Sequence, residues 1–176
     1  MNVTRVGVDI AKSVFYVHGV DRWDRPQWRT ELKRTRWLDA LSEHVEPGAE
    51  IGLEACASAH HRGRELQKRG YVVKLIAAQF VKPYVKGNKN DRVDAEAISE
   101  AMGRPGMRFV AVKTVQQQDI QAAHRVREDL VGQRTAKANQ IRGLVGEYGI
   151  VAPVGIHNLR RALPCWLEDA GNGLTV

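Results

Sequence analysis

Val6, Val8 and Ile10 alternate with smaller or polar residues in RVGVDI, which predicts a half-buried strand closing at Asp9-Ile10. VFYVHGV (14–20) is a second β-rich run, DRWDRP a Pro-containing turn, and QWRTEL a third strand. Strands this close in sequence pair antiparallel through short turns. Trp37, Leu38, Leu41 and Val45 then recur at helical spacing until Pro47-Gly48 stops them. EIGLEAC (50–56) is a fourth strand ending at Glu54. HHRGRELQKRG is a helix closed by Gly70, YVVKLIA a fifth strand, and the run from Asp91 a further helix. This order predicts an α/β fold with a sheet of mixed direction.

Beyond Gly103-Arg104-Pro105-Gly106 the pattern changes. After the brief FVAVK, Gln116 to Tyr148 runs without proline, with Ile120, Ala123, Val126, Leu130, Ile141 and Val145 in a broken apolar stripe. Such a helix is about 45–50 Å long at 1.5 Å per residue. Its other faces are too polar for a small core, so it is expected to project and pair with a partner, as a coiled coil or hairpin. Arg134 and Lys137 interrupt the stripe, so the heptad is not strict. Gly149 ends it, and a last helix is expected over 157–169. The expected divisions are an α/β domain over 1–108, a helical region over 109–150, and the start of a further domain over 151–176 that the sequence leaves unfinished.

The 176 residues suffice for one ordinary domain with an appendage. Two cysteines, Cys56 and Cys165, stand far apart, which argues for a reducing compartment and against a disulfide framework or zinc site. MNVTRVGVDIAK lacks the apolar core of a signal peptide, and no run approaches the ~18 apolar residues of a membrane span. The expectation is a soluble cytoplasmic protein. Net charge is +7, and it is local. Between His60 and Arg92 nine Lys/Arg face two acids, and nine minus two is the whole surplus. A basic field of this kind fits a polyanion, most simply nucleic acid, and fits a solvated surface equally well.

Inside that basic segment NKNDRVDAEAISEA (88–101) places Asp91 and Asp94 three apart, on one face of the helix they open. Asp9 and Glu54 end the first and fourth strands, where loops of α/β sheets open and ligands bind. Taken singly, an Asp at a strand end is usually a turn or cap residue and Asp91 could simply cap its helix, whereas Glu54 in a strand must find a partner for its charge. If the two strands are neighbours and the helix packs across them, four carboxylates converge. Four such charges need protons or cations to coexist. Two magnesium ions would balance them and act on a phosphodiester, one on the attacking oxygen and one on the leaving oxygen.

VGVDIAKSVFYV, GLEACASAHH and KNDRVDAEAIS together resemble the N-terminal domain of the DEDD insertion-sequence transposases, a group that includes Piv-type DNA invertases and bridge-RNA-guided recombinases. The resemblance covers roughly residues 3 to 150, in order. It implies a ribonuclease-H-like (RuvC-like) fold, and a magnesium-binding acidic quartet at Asp9, Glu54, Asp91 and Asp94. It also implies a coiled-coil insertion matching Gln116–Tyr148, then a second domain carrying a catalytic serine. No serine here takes that role. The partners implied are DNA, in some members a guide RNA, and further copies of the chain as a dimer or tetramer. Expected activity is magnesium-dependent DNA strand cleavage and transfer.

Lys89 and Arg92 flank Asp91 and are expected at the nucleic-acid backbone, with Lys12, Lys82 and Lys86 as further contacts. A lone lysine such as Lys12 is more often a solvated turn residue. His60-His61 are read as a solvent-facing pair at a helix start, Phe80 and Tyr84 as packing, and Trp23, Trp28 and Trp37 as sheet and helix packing. Glu96 and Glu100 are placed outside the metal ligands. Two other readings compete: a Holliday-junction-resolvase-like nuclease using water on the same carboxylates, and a non-catalytic nucleic-acid-binding or dimerisation fragment. A sugar-kinase or actin-like ATPase is excluded for want of a glycine-rich phosphate loop.

Overall fold

The computed structural model describes residues 3–85 and 91–174, with the backbone alone described at Asp91. Six strands form one sheet: β1 (Arg5–Ile10), β2 (Val14–Val20), β3 (Pro26–Lys33), β4 (Glu50–Glu54), β5 (Val72–Ile76) and β6 (Phe109–Val110). Their spatial order is β3-β2-β1-β4-β5-β6. The first three strands are antiparallel neighbours, as their short connections require; β1, β4 and β5 run parallel, and β6 returns antiparallel.

One face of the sheet carries the alternating apolar residues. Val6, Val8, Phe15, Val17, Ile51, Leu53 and Leu75 are buried there with Trp37 and Leu41 of α1 (Trp37–His44) and Ala59 and Leu66 of α2 (Ala59–Lys68). Each large aliphatic buried in this way contributes roughly 1.5–3 kcal/mol. Trp37 meets Phe15 edge-on at 5.0 Å. Helix α1 stops where Gly48 takes φ +95°, and α2 where Gly70 takes φ +85°, both in the left-handed region. Tyr71 ties the two helix ends together, its hydroxyl donating to the Val45 carbonyl at 2.9 Å.

The opposite face is polar. Directly paired residues share a face, so the pairs Arg5–Glu50, Gly7–His18, Gly7–Gly52 and Gly52–Lys74 put all of these on one side. That side is covered by α4 (Asp91–Met102). Beside it a smaller apolar cluster gathers Ile76, Val81, Ala97, Ile98, Ala101 and Met102. It closes over α3 (Ala78–Val81) and the single 3₁₀ turn Lys82–Tyr84, and Phe80 and Tyr84 pack against it as expected.

The chain divides into two compact units, Met1–Thr114 and Val115–Val176. In the second, α5 (Val115–Gly146) is 32 residues long, about 48 Å. Gly149 at φ +75° follows it, then α6 (Ile156–Glu168). Ala138 and Val145 of α5 and Leu159 of α6 are this unit's buried apolar residues, while Ile120, Val126 and Leu130 are exposed. An expectation about the β2–β3 turn is overturned. Trp23 does not pack in the sheet: it is 58% exposed in the β2–β3 turn, with the Arg22 guanidinium 3.9 Å from its ring centroid. The residues around it turn the chain rather than extend it, so no sheet face reaches the indole. No described helix is long and apolar enough to cross a membrane.

Candidate metal centre

Strands β1 and β4 pair in parallel register up to Val8–Leu53. The next residue on each is an acid, so Asp9 and Glu54 stand side by side at the carboxyl ends of neighbouring strands. Gly7 and Gly52, two residues earlier, show which face they occupy. A Cβ on Gly7 would lie 2.2 Å from the Ala95 carbonyl oxygen and 2.5 Å from the Ser99 amide nitrogen. A Cβ on Gly52 would lie 2.0 Å from Met102 Sδ. Both glycines therefore sit directly under α4, and Asp9 and Glu54 project on that same side.

Helix α4 runs antiparallel to these strands. Its Ile98–Met102 turn lies over Gly52, and one turn earlier Asp94 lines a cavity of about 550 Å³ together with Glu54. Lys82 is the cation on that cavity's wall, with Gln79, Ala78, Val81 and Val85 completing it. Beyond the end of β4, burial pushes the Cys56 thiol above its ordinary pKa, and the carboxylates of Glu54 and Asp9 push it further. The strand ends thus carry negative potential in a chain of net charge +7.

The expected quartet is placed in part. Asp9, Glu54 and Asp94 are brought to one end of one face. Asp91 opens α4, but its side chain, like Lys86 and Lys89, lies outside the described residues. Among the described residues no group of three or more His, Cys, Asp or Glu is close enough to hold an ion. The donors present are carboxylate oxygens, which suit magnesium rather than a softer metal.

The basic residues scatter more than their spacing suggests. Lys12 is exposed in the β1–β2 turn, where its carbonyl accepts from Arg34. Arg92 lines a different groove, toward β2 and β3, and pairs with Glu31 at 3.4 Å. Arg62 pairs with Glu65 at 2.7 Å, Arg69 with Asp39 at 2.9 Å and Lys74 with Glu50 at 3.6 Å. Among the described expected contacts, Lys82 lines the acidic cavity. Glu96 faces Arg29 at 3.2 Å and the buried His18 at 3.7 Å, away from the cavity. Burial, then the Arg29 charge, lower the His18 pKa, and Glu96 only partly offsets them. His60 is not the solvent-facing residue expected. It is half-buried, and its Nδ1 accepts from the Lys113 amide at 3.2 Å. Burial, then Lys113 and Arg64, lower its pKa. His61 is exposed beside Glu65.

Sequence reasoning missed Gly7 and Gly52. The signal was present: VGVD (6–9) and IGLE (51–54) repeat one pattern, apolar-Gly-apolar-acid, on two strands. Each glycine admits the helix, and Glu54 shares a cavity with Asp94 of its first turns.

An acid-edged mixed sheet under a helix, followed by a long helix, is the arrangement of this chain, and a family model described as a transposase matches it over residues 6–150. More particularly, the chain belongs to the DEDD transposases of the IS110 type. It is 53% identical over 152 residues, 86% of its length, to a probable family 20 transposase of Pseudomonas aeruginosa. It is 44% identical over 170 residues, 97% of its length, to the transposase for insertion sequence element IS1111A of Coxiella burnetii. A third relative, the transposase for insertion sequence element IS1328 of Yersinia enterocolitica, is 41% identical over 160 residues, 91% of the chain. The matches cover 44%, 46% and 47% of these relatives, so the chain spans under half their length.

Proposed function

We propose that this chain is the metal-binding catalytic half of an IS110-type transposase, acting on DNA by magnesium-dependent strand cleavage and transfer. The observation that carries the reading is the negative strand-end site, with Glu54 and Asp94 on one cavity and Asp9 beside Glu54. Asp9, Glu54, Asp91 and Asp94 would hold the ions. When bound there, magnesium supplies charge neutralisation at a phosphodiester and activation of the attacking oxygen. Lys82, on the cavity wall, would meet an adjacent phosphate, a role supported by its standing beside Glu54 and Asp94 on that cavity.

A ribonuclease-H-like fold is part of this proposal. It is supported by the β3-β2-β1-β4-β5 order, with an antiparallel β1–β2–β3 meander and parallel β4 and β5. Self-association through α5 belongs to it too, supported by exposed Ile120, Val126 and Leu130 on a helix of 32 residues. A guide RNA would be a second nucleic-acid partner of the same chain.

The test is a magnesium or manganese titration by calorimetry on wild type and on Asp9→Asn, Glu54→Gln and Asp94→Asn. Saturable binding that weakens at least tenfold in each variant, with the fold retained by circular dichroism, is the expected result. Wild-type binding that survives all three substitutions would remove the carboxylates from the site.

A further inference from the structure

Six of the twelve arginines in the first unit are compensated by a carboxylate, whereas three in the second gather around one cleft without any. In the first unit Arg5, Arg29, Arg62, Arg69, Arg92 and Arg104 each pair with a carboxylate: Asp24, Glu96, Glu65, Asp39, Glu31 and Glu100 respectively. In the second unit Arg134 of α5 and Arg160 and Arg161 of α6 line a single cleft of about 460 Å³ with His157 and Ile156, and no acid lines it. Among the described residues none of these three arginines has an ion-pair partner.

The helical registers explain why. The neighbours of Arg134 one turn away are Leu130, Val131, Lys137 and Ala138. Asp129, the nearest acid on α5, is engaged by the Gln133 amide at 2.7 Å. On α6, Ile156, His157, Asn158, Leu163, Pro164 and Cys165 occupy the positions one turn from Arg160 and Arg161, again without an acid. Leu159 is buried, while Arg160 and Arg161 are exposed. Three guanidinium groups are thus held around one concavity with repulsion unrelieved by the chain itself. A guanidinium presents a planar fork of donors suited to phosphate.

We infer that the α5–α6 cleft is a backbone-phosphate site for a polynucleotide, separate from the carboxylates of the first unit. The inference rests on nucleic acid being the partner of this chain and not on the metal. The family match ends at residue 150, before α6 begins, so it does not cover the part of the cleft that α6 supplies. Each phosphate neutralised on duplex DNA steepens the fall of log affinity with log salt by about 0.9, and on a single strand by about 0.7. Three arginines each meeting one phosphate of a duplex therefore account for a slope of about 2.7. Between 50 and 200 mM salt that is about a 40-fold loss of affinity.

The experiment measures fluorescence anisotropy of a labelled 30-base-pair duplex DNA and a labelled 30-nucleotide RNA with the full chain across that salt range. Three proteins are compared: wild type, Arg134→Ala/Arg160→Ala/Arg161→Ala, and a charge-matched control, Lys33→Ala/Lys68→Ala/Arg108→Ala. The control residues are exposed and lie outside the cleft. Circular dichroism checks that helix content is kept. The cleft variant is expected to lose at least tenfold in affinity at 50 mM and two to three units of slope, with the control losing less than threefold. Loss confined to the duplex assigns the cleft to DNA, loss confined to the RNA assigns it to RNA, and loss on both assigns it to the shared backbone. Equal loss in the cleft variant and the control overturns the inference, as does a wild type that binds neither probe. Because the carboxylates are untouched, magnesium binding by the cleft variant separates failure of this site from failure of the metal centre.

Discussion

Replacing Gly7 and Gly52 with alanine, one at a time, tests whether close approach of α4 builds the acidic site. The two positions look alike in sequence but meet different atoms. At Gly7 the new methyl would meet backbone, the Ala95 carbonyl oxygen at 2.2 Å and the Ser99 amide nitrogen at 2.5 Å. A carbon and a carbonyl oxygen normally stand about 3.3 Å apart or more, so α4 or β1 would have to withdraw by about 1 Å. At Gly52 the nearest atoms are Met102 Sδ at 2.0 Å and Cγ at 2.8 Å, in a side chain that can swing aside, although Ile98 Cγ2 at 3.0 Å must also give slightly. Overpacking costs roughly 1–3 kcal/mol. Gly7→Ala belongs at the top of that range and Gly52→Ala at the bottom. Both gain about 0.4–1 kcal/mol from a stiffer unfolded chain, since neither glycine has positive φ. The net expectation is about 2 kcal/mol lost at Gly7 and close to zero at Gly52. For a unit of this size 2 kcal/mol corresponds to a Tm lower by on the order of 10 °C.

Urea unfolding followed by tryptophan fluorescence in a Trp166→Phe background is the assay, because Trp28 and Trp37 are buried in the α/β unit and the second unit's tryptophan is then silent. Magnesium titration of the still-folded Gly7→Ala protein supplies the second readout. A helix pushed off the sheet carries Asp94 away from Glu54, and affinity should drop although no ligand was changed. Gly52→Ala destabilising as much as Gly7→Ala, or a neutral Gly7→Ala, would refute the reasoning.

Tyr71→Phe should cost about 1–2 kcal/mol in urea unfolding, because it leaves the Val45 carbonyl, which accepts the buried hydroxyl at 2.9 Å, without that partner. Stability should fall as pH drops below about 6.5, since His18 and His60 both have folded pKa values lowered from 6.5. Above pH 6.5 their contribution is fully present; below it the unfolded chain takes up protons first, until each folded pKa is reached. The loss is at most about 1.4 kcal/mol per pH unit for each histidine, and His18→Gln should remove its share of the slope in urea midpoints between pH 7.5 and 5.5. A flat wild-type profile would contradict both assignments.

Much of the sheet was legible because its signals are local. Alternation in RVGVDI, the stops at Pro47-Gly48 and Gly70, and the unbroken run to Tyr148 each mark an element without tertiary information. The parallel pairing of β1 with β4 was only a condition in the sequence reading, and the fold supplies it, bringing Asp9 beside Glu54. What was not legible depends on distance. The segment from His60 to Arg92 reads as one basic field. In space, however, Arg69, Lys74 and Arg92 turn to Asp39, Glu50 and Glu31 from other parts of the chain, and Arg62 is taken up by Glu65 within the segment itself. Conversely Arg134, Arg160 and Arg161 look unremarkable along the chain and gather only because α6 folds back on α5. Trp23 failed for a simpler reason: a turn has no face to bury an indole against.

The acids at the start of α4 do not have to be either helix residues or metal ligands. Asp94 lies in the opening turns of α4, where the exposed amides of the helix favour negative side chains by about 0.3–1 kcal/mol. It also faces Glu54 across a cavity, where two carboxylates repel. The antiparallel run of α4 over β1 and β4 reconciles these opposing effects, since it presents the positive end of the helix to the strand ends that carry Asp9 and Glu54. That orientation depends on the helix lying close, and closeness depends above all on Gly7, where the backbone of α4 itself is met. The local preference of an acid for a helix start and the gathering of acids for a cation are then one piece of geometry. Gly7 under α4 is the part of it a substitution can remove without touching an acid.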